Sequence, residues 1–257
     1  MARRRAAAVG FLLAALVRTA GAAEVVDRTS RAVALGERTA VFVDATIADL
    51  TITGSDRPDL AVTIVRRAPS AAALALFPVS IDERPDGVHI SVLQQDEGRD
   101  AALKSSITIA APSTATFRAV RVFEGRITLT HLTAACDVDL RRGPIEASGL
   151  AGRIRLEAGI GRVDVKGSTL DPGGMMRLRV FNGLVRVRFA RPPAVGRILA
   201  VTLNGSLTSD IPLTKKDRFG PRFGETTLGT ADPRTDPVLS IDVVKGDIEI
   251  KVEPDSG

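Results

Sequence analysis

Six glycines stand in one local frame, each followed at the second and fourth positions by aliphatic or small residues with polar ones mostly between them. They are Gly125 (GRITL), Gly143 (GPIEA), Gly161 (GRVDV), Gly183 (GLVRV), Gly205 (GSLTS) and Gly246 (GDIEI). The first five follow one another at a nearly constant interval, and the gap before the sixth is close to two such intervals. A period of about 20 residues, one short alternating segment per unit and a turn glycine at a set offset are what a β-solenoid requires, because each coil buries its inward face only against its neighbours. Ala48 opens ADLTI, the same frame with Ala in place of Gly, and half-frames at CDVDL (136–140) and GRIRL (152–156) predict at least two strands per coil. A β-sandwich is the alternative all-β architecture, with similar strands and turn glycines. Its strands have no reason to share one frame at a fixed interval, and the absence of Trp and Tyr removes the aromatic pins common in immunoglobulin-like sandwiches.

The start of the chain reads as an address rather than as structure. Arg3, Arg4 and Arg5 precede an apolar run from Ala6 to Val17 and then small residues, the layout of a secretory signal peptide over residues 1–23. The run is shorter than the roughly 20 apolar residues of a membrane-spanning helix. Residues 24–257 are then one exported domain, periplasmic or extracellular. The leader holds four of the thirty-five basic residues and no acid, so thirty-one bases face thirty acids in the remainder. The sequence pI near 10.0 therefore reflects the leader, and a nucleic-acid partner loses its main support. Cys136 is the only cysteine, so no internal disulfide forms, and by alternation it shares the inward side of Val138 and Leu140.

Strands are predicted near 40–53, 60–66, 79–84, 88–93 and 106–111 as a more irregular N-terminal region, with regular coils from about residue 116 onward. Pro112, Gly149, Gly167, Pro192 and Pro193 mark corners. The Ala-rich stretch 68–78 predicts a helical turn, and 212–237, with four prolines, predicts a rung carrying an inserted loop.

Chemistry-bearing motifs are scarce. His89 and His131 lack any metal-ligand spacing, so no metal site and no cofactor is expected, and no nucleophile elbow, phosphate loop or dinucleotide fingerprint occurs. Alternation turns Asp137, Asp139, Glu146, Asp164 and several arginines outward. Stacked coils would set Asp137 beside Arg153, Asp139 beside Arg155 and Asp164 beside Arg186, which explains them as ion pairs that favour register. Only Glu146 beside Asp164 resembles the paired acids of a polysaccharide lyase or hydrolase, the enzymatic alternative to a non-catalytic reading.

From Arg141 to Arg197 twelve bases face four acids, and Arg162, Arg177, Arg179 and Arg188 have no evident partner one coil away. Together with Phe219 and Phe223 on the long loop, these residues are the candidate binding set. Unpaired guanidinium groups along a stiff β-face suit an anionic envelope polymer through bidentate contacts.

The succession IAAPSTATFRAVRVFEGRITLTHL, GLAGRIRLEAGIGRVDVKGSTL, LRVFNGLVRVRF and LSIDVVKGDIEIKV resembles the putative adhesin family of bacterial exported β-solenoid domains, once called a domain of unknown function. The resemblance covers about residues 33–252. It implies a right-handed β-helix-like fold and an envelope location, and supplies no catalytic residues. The resulting expectation is a non-catalytic envelope structural or interaction module, monomeric, whose partner is an anionic glycan or another envelope protein. End-to-end self-assembly is the remaining alternative, opposed by Pro254 at the exposed edge after the last strand.

Overall fold

The computed structural model describes residues 24–35, 40–95, 103–170, 174–217, 220–229, 232 and 237–253. The leader, Phe219 and Pro254 lie outside them. The fold is all-β apart from one short helix. In chain order the elements are β1 (Val25–Ala34), β2 (Ala40–Ser55), β3 (Asp59–Ala68), α1 (Ala71–Ala75), β4 (Val79–Arg84), β5 (Gly87–Val92), β6 (Lys104–Pro112), β7 (Thr116–Thr130) and β8 (Cys136–Ser148). They continue with β9 (Ile154–Lys166), β10 (Met175–Phe189), β11 (Gly196–Asn204), β12 (Leu207–Ser209), β13 (Thr214–Asp217), β14 (Arg222–Leu228) and β15 (Val238–Val252). All strands belong to one sheet.

Its centre is the parallel run β2-β7-β8-β9-β10-β15-β11. Both ends are antiparallel: β3 and β1 extend from β6 on one side, β4 folds onto β5, and β14 and β13 follow β11 on the other. The expectation of a wholly parallel sheet is corrected here, and the reason is local. The two residues Pro85 and Asp86 between β4 and β5 can join antiparallel neighbours but cannot make a parallel crossover. β1 has no counterpart among the strands expected from the sequence. Of its ten residues only Val33 is buried, so its alternation carries little apolar signal.

Each central strand is a pair of half-strands set at a bend. In β8 the buried side chains are Val138 and Leu140 and then Ile145 and Ala147, so the inward parity changes across 141–144. The change falls at Gly143, whose φ of 129° is a conformation an L side chain resists. The same offset recurs along the stack, so Ala48, Gly125, Gly143, Gly161, Gly183, Gly246 and Gly205 form one column. A Cβ built on Gly161 would overlap the carbonyl oxygen of Gly143, and one built on Gly183 that of Gly161. From Gly125 to Gly246 the column is therefore glycine for two reasons, the positive φ and the absence of room beside the neighbouring backbone, whereas Ala48 and Gly205 at its ends lack the positive φ.

Connectors stack as well as strands. Thr133 N donates to Ser113 O at 2.8 Å, Ala151 N to Leu132 O at 2.8 Å and Thr169 N to Leu150 O at 3.0 Å. Between the bent strands lies a continuous core of Val, Leu and Ile with Phe117 fully buried. Cys136 is part of it, and burial pushes its thiol up to about 12, which makes it an inert packing group. The helical turn expected in 68–78 is α1, capped by Ser70, whose hydroxyl accepts from Ala73 N at 3.1 Å. Arg66 Nη1 donates to the carbonyls of Leu74 and Phe77, which ties that turn to β3.

Along the parallel run from β7 to β11, neighbour order departs from chain order at one strand. β15, the last strand, lies between β10 and β11, so Gly183 neighbours Gly246 and Gly205 neighbours Gly246 in turn. The rungs at Gly183 and Gly205 carry consecutive frames in the sequence, yet they do not touch.

Candidate functional site

The bend divides the outer surface into two faces, and the five candidate residues that are described do not share one. On the face after the bend, side chains form a ladder of ion pairs across the rungs. Arg126 Nη1 and Arg162 Nη2 both donate to Glu146 Oε1, at 2.7 and 2.6 Å. Arg188 Nη2 donates to Asp164 Oδ1 at 2.7 Å, and Arg186 Nε to Glu249 Oε2 at 2.7 Å. Arg162 and Arg188, expected to lack partners, are thus both engaged. Arg162 stands opposite Pro144 and reaches the diagonal Glu146, and Arg188 stands opposite Lys166 and reaches the diagonal Asp164. Long guanidinium side chains cover the diagonal spacing of about 7–8 Å that a directly-opposite rule ignores.

Glu146 and Asp164 are neighbours in register, as the sequence predicts. The hydrogen bond from Arg162, with the charge of Arg126 behind it, holds the Glu146 carboxyl below the usual range. General-acid work needs the opposite, a carboxyl kept protonated near neutral pH. This pair behaves as an anchor for four arginines, Arg126 and Arg162 on Glu146 and Arg186 and Arg188 on Asp164.

The face before the bend begins the same way. Asp137 is opposite Arg155, and Arg155 bridges Asp137 at 3.3 Å and Glu157 at 3.0 Å. The expected pairs Asp137 with Arg153 and Asp139 with Arg155 are not made: Asp139 stands opposite Glu157. Register is set by the glycine column, in which Gly143 meets Gly161, whereas those two pairings followed the half-frame at Gly152, which sits in a connector. Asp164 and Arg186 are opposite each other as expected, with 4.0 Å between their charged atoms.

Farther along this face the charge pattern opens. Arg177 and Arg179 on β10 stand opposite Ser240 and Asp242 on β15, and Arg177 Nε lies 3.7 Å from Asp242 Oδ2. Next across is Val201 on β11, opposite Asp242, and then Phe223 on β14, opposite Val201. Arg179, Asp242, Val201 and Phe223 therefore form one row running across four strands. Between them lies an open groove of about 210 Å³ lined by Arg177, Arg179, Val201, Leu203, Asp242, Val243 and Val244. That is below the roughly 300 Å³ at which pockets enclose a whole small ligand, so it suits one charged group of a longer chain.

The structure thus brings together Arg177 and Arg179 in one groove, leaves Phe223 in the same row but three strands away and off its lining, and separates all three from Arg162 and Arg188. Sequence reasoning missed the groove's floor and its acid, Val201, Leu203 and Asp242. The available signal was the doubled interval before Gly246, which places a full coil frame after the long loop without saying which rung it joins.

The histidines serve the scaffold. His89 stacks on Phe42 with ring centroids 4.3 Å apart, its Nε2 3.0 Å from Asp86 Oδ1. His131, with φ of 54°, occupies the turn position taken by Gly149 and Gly167 in the next rungs. Among the described residues no three His, Cys, Asp or Glu side chains gather as metal ligands, and no helix is long and apolar enough to cross a membrane.

The chain is similar in structure to a putative cell adhesion protein from Clostridium sporogenes, at 11% identity and a TM-score of 0.49, with 88% of this chain and 100% of that chain covered. It is also similar to a putative adhesin from Bacteroides fragilis, at 13% identity and a TM-score of 0.33, covering 88% of this chain and 97% of the other. A putative adhesin from Parabacteroides distasonis matches at 10% identity and a TM-score of 0.22, over 87% of this chain and 97% of that one. No protein-family model matches the chain, and no curated protein does. At these identities and scores the likenesses fix neither ligand nor role.

Proposed function

We propose that the protein is an exported, non-catalytic interaction module of the envelope, built as a β-solenoid and binding an anionic envelope polymer through Arg177 and Arg179. The coil reading is supported by reach. The connector between β8 and β9 has five residues and can span about 20 Å, whereas β8 drawn straight would be about 40 Å long. Its end must return to the neighbourhood of its start, because Ile154 on β9 lies beside Cys136 on β8. A strand bent at the glycine column and closed by a stacked connector meets that demand, which supports the coil reading over two flat sandwich sheets.

The observation that carries the binding reading is the groove itself. Two guanidinium groups two residues apart on one strand line an apolar floor, with Asp242 the one acid on its lining. A carboxylate or phosphate on a linear polymer would displace the loose 3.7 Å contact to Asp242 and gain bidentate contacts. The ladder on the other face has no such reserve, because its arginines already hold Glu146, Asp164 and Glu249.

Binding of purified protein to polygalacturonate and to poly(glycerol phosphate) tests the reading. The expected result is binding at low salt that weakens at high salt. Arg177→Ala with Arg179→Ala should weaken it about 10- to 100-fold, the value of one or two charge-assisted hydrogen bonds. Arg162→Ala should leave affinity near the parent's. Affinity absent at low salt, or equal in parent and double variant, removes the groove as the site.

A further inference from the structure

We propose that the outer edge of the bend is a docking ridge for an anionic lipid surface. At a bend whose two arms both bury their inner faces, the residues just before the glycine column turn outward together. Phe123 and Glu124, Arg141 and Arg142, Phe181 and Asn182, and Leu203 and Asn204 are exposed in consecutive pairs, as are Ile160 and Lys245 on their own strands. The register sets these positions side by side. Glu124 is opposite Arg142, Ile160 opposite Asn182, and Lys245 opposite both Asn182 and Asn204. Over five inter-strand steps the ridge is about 24 Å long.

Its composition is unlike either flanking face. Phe123, Ile160, Phe181 and Leu203 are 51%, 52%, 61% and 49% exposed, and they are four of the seven large apolar side chains left open among the described residues. Phe181, Val244 and Leu203 follow one another on β10, β15 and β11, with no charged side chain between them in that row. Arg141, Arg142 and Lys245 are exposed and make no ion pair among the described residues, and the Arg142 guanidinium lies 5.9 Å above the Phe123 ring. Glu124 is the single acid on the ridge.

This pairing of features selects the occupant. Three cations with no ion pair among the described residues complement phosphate head groups, while phenylalanine, isoleucine and leucine on the same line would enter the region just beneath them. A soluble anionic polymer would use the cations and leave the four apolar side chains in water. The arrangement lies on the membrane and does not cross it; it adjoins the Arg177–Arg179 groove, whose lining includes Leu203 and Val244, but Phe123, Phe181, Arg142 and Lys245 lie outside that lining, so variants there test the ridge apart from the groove.

Co-sedimentation with phosphatidylglycerol-containing vesicles and with pure phosphatidylcholine vesicles is the test. The protein is expected to bind the first and not the second, with binding that falls as salt rises. Phe123→Ser with Phe181→Ser should lower partitioning about tenfold or more, the consequence of removing two inserted rings. Because both side chains are exposed, the melting temperature of that variant should stay near the parent's, which separates lost docking from lost fold. Arg142→Ala with Lys245→Ala should reduce the preference for the anionic vesicles. The proposal is overturned if the parent ignores anionic vesicles, or if the phenylalanine variant binds them as the parent does. It is equally overturned if the same variant instead converts a dimer to a monomer with vesicle binding absent, which would assign the ridge to a second copy of the chain.

Discussion

Gly161→Ala is expected to destabilise the protein by about 3–6 kcal/mol, while Gly167→Ala costs about 1 kcal/mol. Both glycines have positive φ, 150° and 56°. The difference lies in what a methyl group would meet. At Gly167 nothing lies within 4 Å, so the variant registers only the strain of the left-handed conformation. At Gly161 the new Cβ would overlap the carbonyl oxygen of Gly143, and that oxygen belongs to the backbone of the adjacent rung. A flexible side chain could swing aside, but a rung can move only by lengthening the hydrogen bonds on both sides of it. The backbone of Gly161 adds strain of its own, because its φ lies in a region that side chains other than glycine's hardly visit. Chemical denaturation of both variants beside the parent checks the contrast. Equal losses at the two positions would mean that the column is a set of independent turns.

Removal of β15, by ending the chain at residue 237, is expected to unfold everything from β10 onward. A last strand at the edge of a sheet would peel away and leave the remainder paired. β15 is instead shared, with β10 on one side and β11 on the other. It carries Leu239, Ile241, Val243, Ile248 and Ile250, all buried, each worth about 1.5–3 kcal/mol on burial. Their sum is comparable with the whole stability of an ordinary domain, about 5–15 kcal/mol. Because the coil stack proposed above would be stabilised rung by rung, the loss should stay on the C-terminal side, with β2 and β7–β9 still paired. Limited trypsin digestion reads this directly through Arg177, Arg179 and Arg186 on β10. Protection of those sites in the truncated chain would place β15 at an edge.

The sequence was informative where structure is local and repeated. The glycine frame located the bends and even Ala48, the first member of the column, whose φ is not positive and which begins the stack. Alternation placed Cys136, Val138 and Leu140 inside, and the strands expected at 40–53, 60–66, 79–84, 88–93 and 106–111 are β2 to β6 within a few residues. Neighbour order was not legible for a physical reason. Every rung offers the same small cross-section and the same apolar inner face, so GSLTS and GDIEI look equally able to sit beside GLVRV. The choice is made by long-range packing, and it decides the candidate site. With β15 inserted, Asp242 comes to Arg177 and Glu249 to Arg186, and Val201 and Leu203 come within one groove of Arg179. The arginine surplus counted along 141–197 is therefore partly compensated by acids drawn from beyond the long loop, far away in sequence. Diagonal reach was the second loss, since it turned Arg162 and Arg188 from free cations into members of a ladder.

The groove exists only with β15 lying between β10 and β11, and paired cysteines measure that placement directly. In a Cys136→Ser background, Arg179→Cys with Asp242→Cys places two thiols on adjacent parallel strands, about 4.8 Å apart at Cα and within disulfide range. Arg179→Cys with Val201→Cys places them two strands apart, about 10 Å at Cα, beyond that range. The predicted result under mild oxidation is a disulfide in the first protein and free thiols in the second. A disulfide in the second and none in the first would contradict the account, returning the stack to chain order and dissolving the groove.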